Sequence, residues 1–189
     1  QGEIVVYGPN VMQGYHNLPD KTAEVMTDDG GFRTGDLGRT DAAGFLYITG
    51  RVKEQYKLEN GKYVAPAPLE EQLKLSGFIN QALIDGTNRP YNTALIVPDF
   101  ETLTPWAQAQ GLGNVSPAAL VQNAKVRDLI EREILERAEA FKAYEIPKKF
   151  VLVADEFSTE NGMLTPTLKL KRRVIMAEHG DKLAGLYES

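Results

Sequence analysis

The chain contains no cysteine among its 189 residues. This absence excludes a disulfide scaffold, a thiolate zinc site and a cysteine nucleophile. Only two histidines are present, so a metal site built from histidine is not expected. No apolar run approaches the roughly 18 residues that a membrane-spanning helix requires. The chain starts at Gln1, inside a β-like run and without a signal-peptide pattern, so we expect a piece of a longer polypeptide.

What is present is typical of a globular protein. Hydrophobic residues make up 42% of the chain and charged residues 25%, enough for one domain, or for a small domain and part of another. The 21 basic and 26 acidic side chains give a formal net charge of −5. Binding to nucleic acid is therefore not expected, and an anionic membrane could be bound only through a local basic patch.

The sequence changes character near Gly50 and Arg51. Residues 1–50 carry three basic and seven acidic side chains, whereas residues 51–189 carry 18 and 19. The first part has short β-rich runs at Glu3–Tyr7 and Phe45–Thr49, separated by turn residues, which is typical of small antiparallel strands. We therefore predict a domain boundary between residues 50 and 51.

The predicted helices and strands define a mixed α/β (α+β) fold. We expect helices at Pro19–Met26, at Pro66–Phe78 and from Ser116 to about Ala143, and further strands at Ile79–Asp85, Thr93–Val97 and Phe150–Ala154. Asp20 is the expected cap of the first helix, and Ser116 that of the last. Residues 51–189 are thus predicted to form a small domain of mixed sheet and helices, preceded by a short antiparallel β subdomain at residues 1–50.

Two motifs in the first part of the chain could carry chemistry. Asp36 follows Gly35, so its carboxylate could accept hydrogen bonds from a sugar diol, although an Asp after Gly is more often a plain turn residue. Arg51 and Lys53 place two cations beside the predicted boundary, where a solvated surface is the simpler interpretation.

Two further motifs lie in the second part. Asn60-Gly61 between β-capable residues predicts a hairpin, and structure alone explains it. The segment Thr165–Arg173 has four cations in five positions after a Thr/Pro-rich turn. Such a cluster could contact nucleic acid or lipid, but no aromatic residues are interleaved for base stacking. A lysine presented to a phosphate or carboxylate substrate fits equally well.

In this order and at these separations, the motifs resemble the C-terminal part of the adenylate-forming superfamily of AMP-dependent synthetases and ligases. The segment FRTGDLGRTDAAGFLYITGRVKE is similar to its Thr-Gly-Asp motif, Gly-aromatic strand and Gly-Arg-x-Lys hinge. YKLENGKYVAPAPLEE and LTPTLKLKR most resemble the long-chain fatty acyl-CoA synthetases within it.

The resemblance implies a role for each motif. Asp36 would accept hydrogen bonds from the two ribose hydroxyls of the nucleotide, and Arg51 would lie by the ribose and phosphates. Lys53 would be the hinge residue about which the small domain rotates between half-reactions. Gly61 would lie on a hairpin near the CoA tunnel, where pantetheine passes. Lys169 would be the adenylation lysine, bridging the substrate carboxylate and the α-phosphate.

The implied reaction is ATP-dependent ligation of a long-chain fatty acid to CoA through an acyl-adenylate, with release of pyrophosphate. ATP with Mg²⁺ and CoA are the implied cosubstrates, with the magnesium ligands outside this chain. The family's phosphate loop and aromatic-Gly-x-Thr-Glu motif do not occur in the sequence. We therefore expect the end of a large N-terminal domain joined to a complete small lid domain, inactive without the rest of its own N-terminal domain.

Two other functions stay open at this point. The first is a fatty acyl-AMP ligase or an adenylation enzyme that loads a carrier protein, and the second is a binding module without catalysis.

The use of ATP and CoA implies a cytoplasmic protein, and peripheral association with a membrane face is left open. Lys171, Arg172 and Arg173 are interpreted as surface or phosphate-contacting groups. The sequence carries no indication of acyl chain length or oligomeric state.

Overall fold

The computed structural model describes residues 2–188. The chain divides into two compact units, and the division falls between Gln55 and Tyr56. The domain assignment made from the sequence, 1–50 and 51–189, concerns the larger parent protein and stays a prediction.

The first unit is a three-stranded antiparallel sheet with one short helix. Its elements are β1 (Gly2–Val6), α1 (Pro19–Val25), β2 (Phe32–Thr40) and β3 (Leu46–Arg51), followed by a 3₁₀ turn at Val52–Glu54. The strands lie in the order β1-β2-β3. The two predicted strands and the predicted helix are therefore confirmed to within two residues. The predicted cap is wrong, because Leu18 precedes the helix and Asp20 lies in its first turn, where a carboxylate interacts favourably with the helix dipole.

The second unit combines a two-stranded hairpin, a three-stranded sheet and five helices among the described residues. Its elements are β4 (Tyr56–Lys57), β5 (Tyr63–Val64), α2 (Pro66–Leu73), β6 (Ile79–Asp85), β7 (Thr93–Pro98), α3 (Phe100–Ala109), α4 (Pro117–Leu120), α5 (Ala124–Arg137), β8 (Lys149–Leu152) and α6 (Arg172–Gly185). The larger sheet has the order β6-β7-β8, with β6 antiparallel and β8 parallel to β7. The mixed α/β fold is confirmed.

Helices cover both faces of the larger sheet. Successive side chains of a strand point to opposite faces, and all six residues of β7 are buried. Ile84 and Ile96 belong to a core cluster with residues of α2, α3 and α5, whereas Leu83 and Leu95 belong to a second cluster with residues of α6. The predicted strands at residues 79–85 and 93–97 agree with β6 and β7 because their apolar runs reflect burial on both faces.

The predicted helices of the second unit are corrected by the structure. The stretch from Ser116 to about Ala143 forms two helices, α4 and α5, because the Asn123 side chain accepts a hydrogen bond from the Lys125 N–H at 2.9 Å and starts a new helix. The Ser116 cap is confirmed. Helix α2 ends at Leu73 rather than at residue 78, since the Ser76 hydroxyl instead binds Glu133 and the Phe78 N–H.

Two helices, α3 and α6, have no counterpart in the sequence-based predictions. Helix α3 contains Pro105, a residue type that usually interrupts helices. Helix α6 begins within the cationic run at Arg172, which composition alone marks as surface. No helix within residues 2–188 is long and apolar enough to cross a membrane.

Candidate functional site

In the first unit, Asp36 and Arg51 lie directly opposite each other on β2 and β3. The Arg51 Nε donates a hydrogen bond to the Asp36 Oδ1 at 2.6 Å. Both side chains reach solvent, with exposed fractions of 30% for Asp36 and 51% for Arg51. Gly35 has a φ of +74° and the β2–β3 register shifts just after Leu37, so the expected turn is an irregular segment inside a strand.

The Thr34-Gly35-Asp36 segment is fastened to the neighbouring strand. The Thr34 hydroxyl donates to the Ile4 carbonyl at 2.8 Å and accepts from the Asp36 N–H at 3.0 Å. The Gly35 N–H donates to the Glu3 carboxylate at 3.2 Å. These three bonds hold the backbone under the Asp36 carboxylate, which is therefore presented from a fixed position.

Lys53 lies in the 3₁₀ turn that follows β3, and its side chain is exposed. The turn ends just before the division between the two units. Lys53 also has an electrostatic effect inside its own unit. The pKa of Glu24 is lowered mainly by its hydrogen bond and ion pair with Lys21, and the positive charge of Lys53 lowers it further.

In the second unit, Asn60 and Gly61 form the tip of the predicted hairpin, which is confirmed by the antiparallel pairing of β4 and β5. The Leu58 N–H donates to the Lys62 carbonyl at 2.9 Å, and the Asn60 Oδ1 accepts from the Lys62 N–H at 3.1 Å. Gly61 has a φ of +85°, and a Cβ there would meet nothing closer than the Lys57 Cε at 3.7 Å. Glycine is thus required by the backbone conformation and not by lack of space.

A cleft of about 230 Å³ lies beside this hairpin. Its lining includes Leu58, Asn60, Lys62, Tyr91, Tyr144 and Lys148. None of the described residues that line it is acidic. The Lys62 ammonium lies 4.6 Å from the centre of the Tyr144 ring, and the Lys148 ammonium lies 5.4 Å from that of Tyr91. The cleft therefore combines positive charge with aromatic surface, which suits an anionic ligand that carries a ring.

A buried asparagine supports one wall of the cleft. Asn92 is fully buried, and its side-chain amide donates to the carbonyls of Tyr144 and Glu145 at 3.0 and 2.8 Å. Its Oδ1 accepts from the Tyr56 hydroxyl at 2.8 Å. Burial raises the pKa of Tyr56 far above its ordinary value, so the hydroxyl stays protonated and remains a donor.

Lys169 lies at the end of a tight turn that precedes α6. The Thr165 N–H donates to the Lys169 carbonyl at 2.8 Å, and the Thr165 hydroxyl accepts from the Lys169 N–H at 3.0 Å. Leu168, within the turn, has a φ of +60° and is 72% exposed. The Lys169 side chain is exposed, and its ammonium has no hydrogen-bond or ion-pair partner among residues 2–188. The backbone is thus ordered while the charge is available to a ligand.

The three cations that follow Lys169 differ from one another. Lys171 and Arg173 are exposed, as a surface interpretation expects. For Arg172 that interpretation is wrong, because its guanidinium forms an ion pair with the buried carboxylate of Glu70 and donates to the Ile84 carbonyl at 3.2 Å. Two residues separated by 102 positions in the sequence meet here.

Clusters of metal-ligating side chains are not found among residues 2–188. Within the part of the chain that the structure describes, no group of three or more His, Asp or Glu side chains could hold a metal ion. Residues 2–188 therefore supply no cluster of side chains that would hold a metal ion without further ligands.

Comparison with known proteins identifies the family. Residues 53–189 match the model of the AMP-binding enzyme C-terminal domain, which is well over half of the chain. The chain belongs to this family. Its second unit, with the hairpin, the cleft and the Lys169 turn, lies within the matched residues.

The curated relatives are similar along the whole chain. It is 36% identical to long-chain-fatty-acid–CoA ligase 1 of Homo sapiens, over 100% of this chain and 27% of the human protein. It is also 36% identical to long-chain-fatty-acid–CoA ligase FadD15 of Mycobacterium tuberculosis, over 98% of this chain and 31% of that protein. The chain thus spans about a third or less of the length of these relatives.

Solved structures show the same fold. The adenylation domain of a carboxylate reductase from Mycobacterium chelonae superposes with a TM-score of 0.79 at 30% identity, covering 100% of this chain and 28% of that one. The corresponding domain from Segniliparus rugosus, in complex with AMP and a co-purified carboxylic acid, also gives 0.79, at 29% identity over 99% of this chain and 28% of that one. The chain therefore has the fold of the corresponding part of these adenylation domains.

Proposed function

We propose that the full-length protein containing this chain is an AMP-forming ligase of long-chain fatty acids and CoA. A carboxylate oxygen of the fatty acid attacks the α-phosphorus of ATP, and the bond to pyrophosphate breaks. The CoA thiol then gives up its proton and attacks the acyl carbon, and AMP leaves. The observation that carries the proposal is the ordered turn that presents the unpartnered Lys169 ammonium, in a chain whose relatives along its whole length are such ligases.

Lys169 is proposed as the catalytic residue of the first half-reaction. Attack of a carboxylate on a phosphate brings two anions together, and their repulsion raises the barrier. A cation placed between them offsets this repulsion, and a preorganised group of this kind is worth about 3 to 4 kcal/mol. The exposed ammonium at the end of the turn is suited to this role because it loses no ion pair within its unit when the substrates bind.

Asp36 and Arg51 are proposed as nucleotide-binding residues. Arg51 occupies the Asp36 Oδ1, which leaves Oδ2 to accept hydrogen bonds from the ribose hydroxyls of ATP. The exposed guanidinium of Arg51 can also donate to phosphate oxygens. The ion pair holds the carboxylate in one orientation before the nucleotide arrives.

The cleft beside the hairpin is proposed to bind the nucleotide end of CoA. That end carries phosphates and an adenine ring, which match the ammonium groups of Lys62 and Lys148 and the ring of Tyr144. Gly61 at the hairpin tip would lie along the path of the pantetheine arm. The cleft thus supports transfer to a soluble thiol and not only formation of an adenylate.

Lys53 is proposed as the hinge residue, and residues 51–189 as the mobile lid domain of the parent enzyme. The 3₁₀ turn at Val52–Glu54 directly precedes the division between the two units, so few residues are available to absorb a rotation. Magnesium would accompany ATP and is proposed to be held by residues outside this chain.

A carrier-protein thiol is the second candidate acceptor. Carboxylate reductase adenylation domains match the fold with a TM-score of 0.79, and one of the similar structures is the didomain of adenylation domain and carrier protein from Segniliparus rugosus. The cleft with its lysines favours CoA. Mixing the full-length protein with ATP, a saturated fatty acid and free CoA, and measuring loss of the CoA thiol, separates the two acceptors.

Separate measurements of the two half-reactions in the full-length protein test the proposal. We expect fatty-acid-dependent exchange of pyrophosphate into ATP, and loss of that exchange by about 100-fold or more in Lys169→Ala. Acyl transfer from a preformed acyl-adenylate to CoA should survive in this variant. Lys171→Ala, which removes an exposed cation two residues away, is the matched control and should exchange normally. Undiminished exchange in Lys169→Ala would refute the assignment of Lys169.

A further inference from the structure

A pair of charged side chains caps the edge strand of the larger sheet. In the order β6-β7-β8, strand β6 has a neighbouring strand on one side only. On the other side, the Glu70 carboxylate accepts from the Ile84 N–H at 2.6 Å, and the Arg172 guanidinium donates to the Ile84 carbonyl at 3.2 Å. The carboxylate and the guanidinium also bind each other. Three residues from α2, β6 and the first position of α6 are thereby joined in one cycle of hydrogen bonds.

This ion pair differs from the surface ion pairs of the chain by its burial. The side chain of Glu70 is only 5% exposed and that of Arg172 is 29% exposed. By contrast, the Glu71–Lys74 pair on the same helix has exposed fractions of 72% and 39%. A buried pair with all its hydrogen bonds made restricts its members to one arrangement, whereas an exposed pair does not.

The same pair contributes to the attachment of the Lys169 turn, whose Leu164 and Leu170 also pack in the core cluster that contains Leu83 of β6. Arg172 follows Lys169 by three residues and is the first residue of α6. On the preceding side, the turn is closed by the Lys171 N–H, which donates to the Met163 carbonyl at 2.8 Å, and by an isolated bridge between Leu164 and Leu170. These contacts join the two limbs of the turn to each other. Among the hydrogen bonds and ion pairs that residues 169–173 form within residues 2–188, only those of the Arg172 side chain join the turn to the sheet edge.

We infer that the Glu70–Arg172 pair is a positioning device for Lys169 in the adenylation half-reaction. This inference rests on the proposed function, in which the Lys169 ammonium must stand between two anions. The ammonium has no partner of its own among the described residues, so the backbone that carries Lys169 sets the region that the ammonium can reach. The pair fixes that backbone against β6. Misplacement of a reacting group by about 1 Å can reduce a rate roughly 100-fold.

Two variants alter the pair in different ways. Glu70→Gln keeps an acceptor for the Ile84 N–H. The glutamine then presents either its amide nitrogen or its neutral oxygen to the guanidinium, so the positive charge of Arg172 no longer has a negatively charged partner. Arg172→Lys keeps the charge opposite Glu70, but an ammonium lacks the planar fork that binds the carboxylate and the Ile84 carbonyl together. Glu71→Gln is the matched control, since it removes an exposed carboxylate from the adjacent position of α2.

The test measures both half-reactions in the full-length protein, together with thermal unfolding. In Glu70→Gln and in Arg172→Lys, we expect the kcat of pyrophosphate exchange to fall about 10- to 100-fold. The KM for ATP should change little, because Asp36 and Arg51 lie in the other unit. Acyl transfer from preformed acyl-adenylate to CoA should stay within about twofold of wild type, as it does not use Lys169. Glu71→Gln should match wild type in every measurement.

The possible results separate this inference from the proposed function. If both variants lose the two half-reactions equally, the pair is only structural and the inference is overturned. It is likewise overturned if both variants exchange pyrophosphate as wild type does while Lys169→Ala does not. If Glu70→Gln does not fold, the result for Arg172→Lys decides. Absence of exchange in wild type, or its retention in Lys169→Ala, overturns the proposed function and this inference with it.

Discussion

The Arg51 guanidinium donates from Nε to the Asp36 Oδ1 at 2.6 Å, across a directly opposed pair of residues in strands β2 and β3. Asp36 and Arg51, which were proposed as nucleotide-binding residues from separate motifs, thus form an ion pair with each other. Their pairing holds the carboxylate in one orientation, with Oδ2 left for a ligand.

Replacement of Asp36 by Asn should weaken ATP binding with little effect on stability. Hydrogen bonds to a charged acceptor contribute about 1.5 to 3 kcal/mol, so we expect the KM for ATP in the full-length protein to rise by at least about tenfold. The free energy of unfolding should change by less than about 1 kcal/mol, because the ion pair is partly exposed. Lys21→Ala, which breaks the exposed Lys21–Glu24 pair, is the control and should leave the KM unchanged. An unchanged KM in Asp36→Asn would contradict the ribose assignment.

Replacement of Gly61 by Ala tests the hairpin tip. The left-handed backbone costs a residue with a Cβ about 1 to 2 kcal/mol, so the free energy of unfolding should fall by about that amount. Gly111→Ala is a matched control, since Gly111 has a φ of +76° and nothing lies within 4 Å of its added Cβ. Both variants should lose similar stability, but only Gly61→Ala should raise the KM for CoA. Equal KM values in the two variants would show that the tip does not adjoin the thiol arm.

Replacement of Asn92 by Ala should be among the most destabilising single changes in the second unit. It removes the partners of the Tyr56 hydroxyl and of two carbonyl groups, at a residue with 0% exposure. Each buried polar group left without a partner costs about 1 to 3 kcal/mol. We expect a loss of at least about 2 kcal/mol in urea unfolding. Asn114→Ala, at an exposed position, should change stability by less than about 0.5 kcal/mol.

We expect the buried His179 to make the stability depend on pH. Burial lowers its pKa below the ordinary value of 6.5, and the charge of Lys182 lowers it further, while Glu178 and Asp155 act in the opposite direction. The Lys182 ammonium lies 3.1 Å from the His179 Nδ1, which suits a neutral ring. Below pH 6.5 the unfolded chain therefore binds a proton that the folded chain does not, and the folded state loses stability.

We accordingly expect the free energy of unfolding to be highest above about pH 6.5 and to decline as the pH falls below it. His179→Gln should reduce this decline, and His16→Gln, at the exposed histidine, should not. Urea unfolding at several pH values between 5 and 7.5 measures the effect. Parallel declines in wild type and His179→Gln would contradict it.

Candidate site residues could be proposed from the sequence where the residues of one motif lie close together along the chain. Asp36, Arg51, Gly61 and Lys169 each belong to a short motif whose residue types suggest a role. The cleft could not be predicted, because Tyr144 and Lys148 reach Lys62 only through the tertiary fold. Neighbouring aromatic and cationic residues in the segment 142–149 are the only sequence signal that points to it.

The secondary structure could likewise be predicted only in part from the sequence. Strands β6 and β7 were predictable because continuous apolar runs are typical of strands buried on both faces. Helix α6 was not, because its first residues are cations and its stability comes from burial of Ile175 and Leu183 and from the Arg172 ion pair. The residue type alone does not show whether a charged side chain forms a buried ion pair or is solvated at the surface.

The hydrogen bonds around Ile84 also bear on how molecules of this protein meet one another. An unprotected sheet edge offers its N–H and C=O groups to a strand of a second molecule, which is a route to aggregation. At Ile84 these groups are already bound to Glu70 and Arg172, so an incoming strand would first have to displace a buried ion pair. The pair thereby protects this part of β6 against intermolecular β-sheet formation.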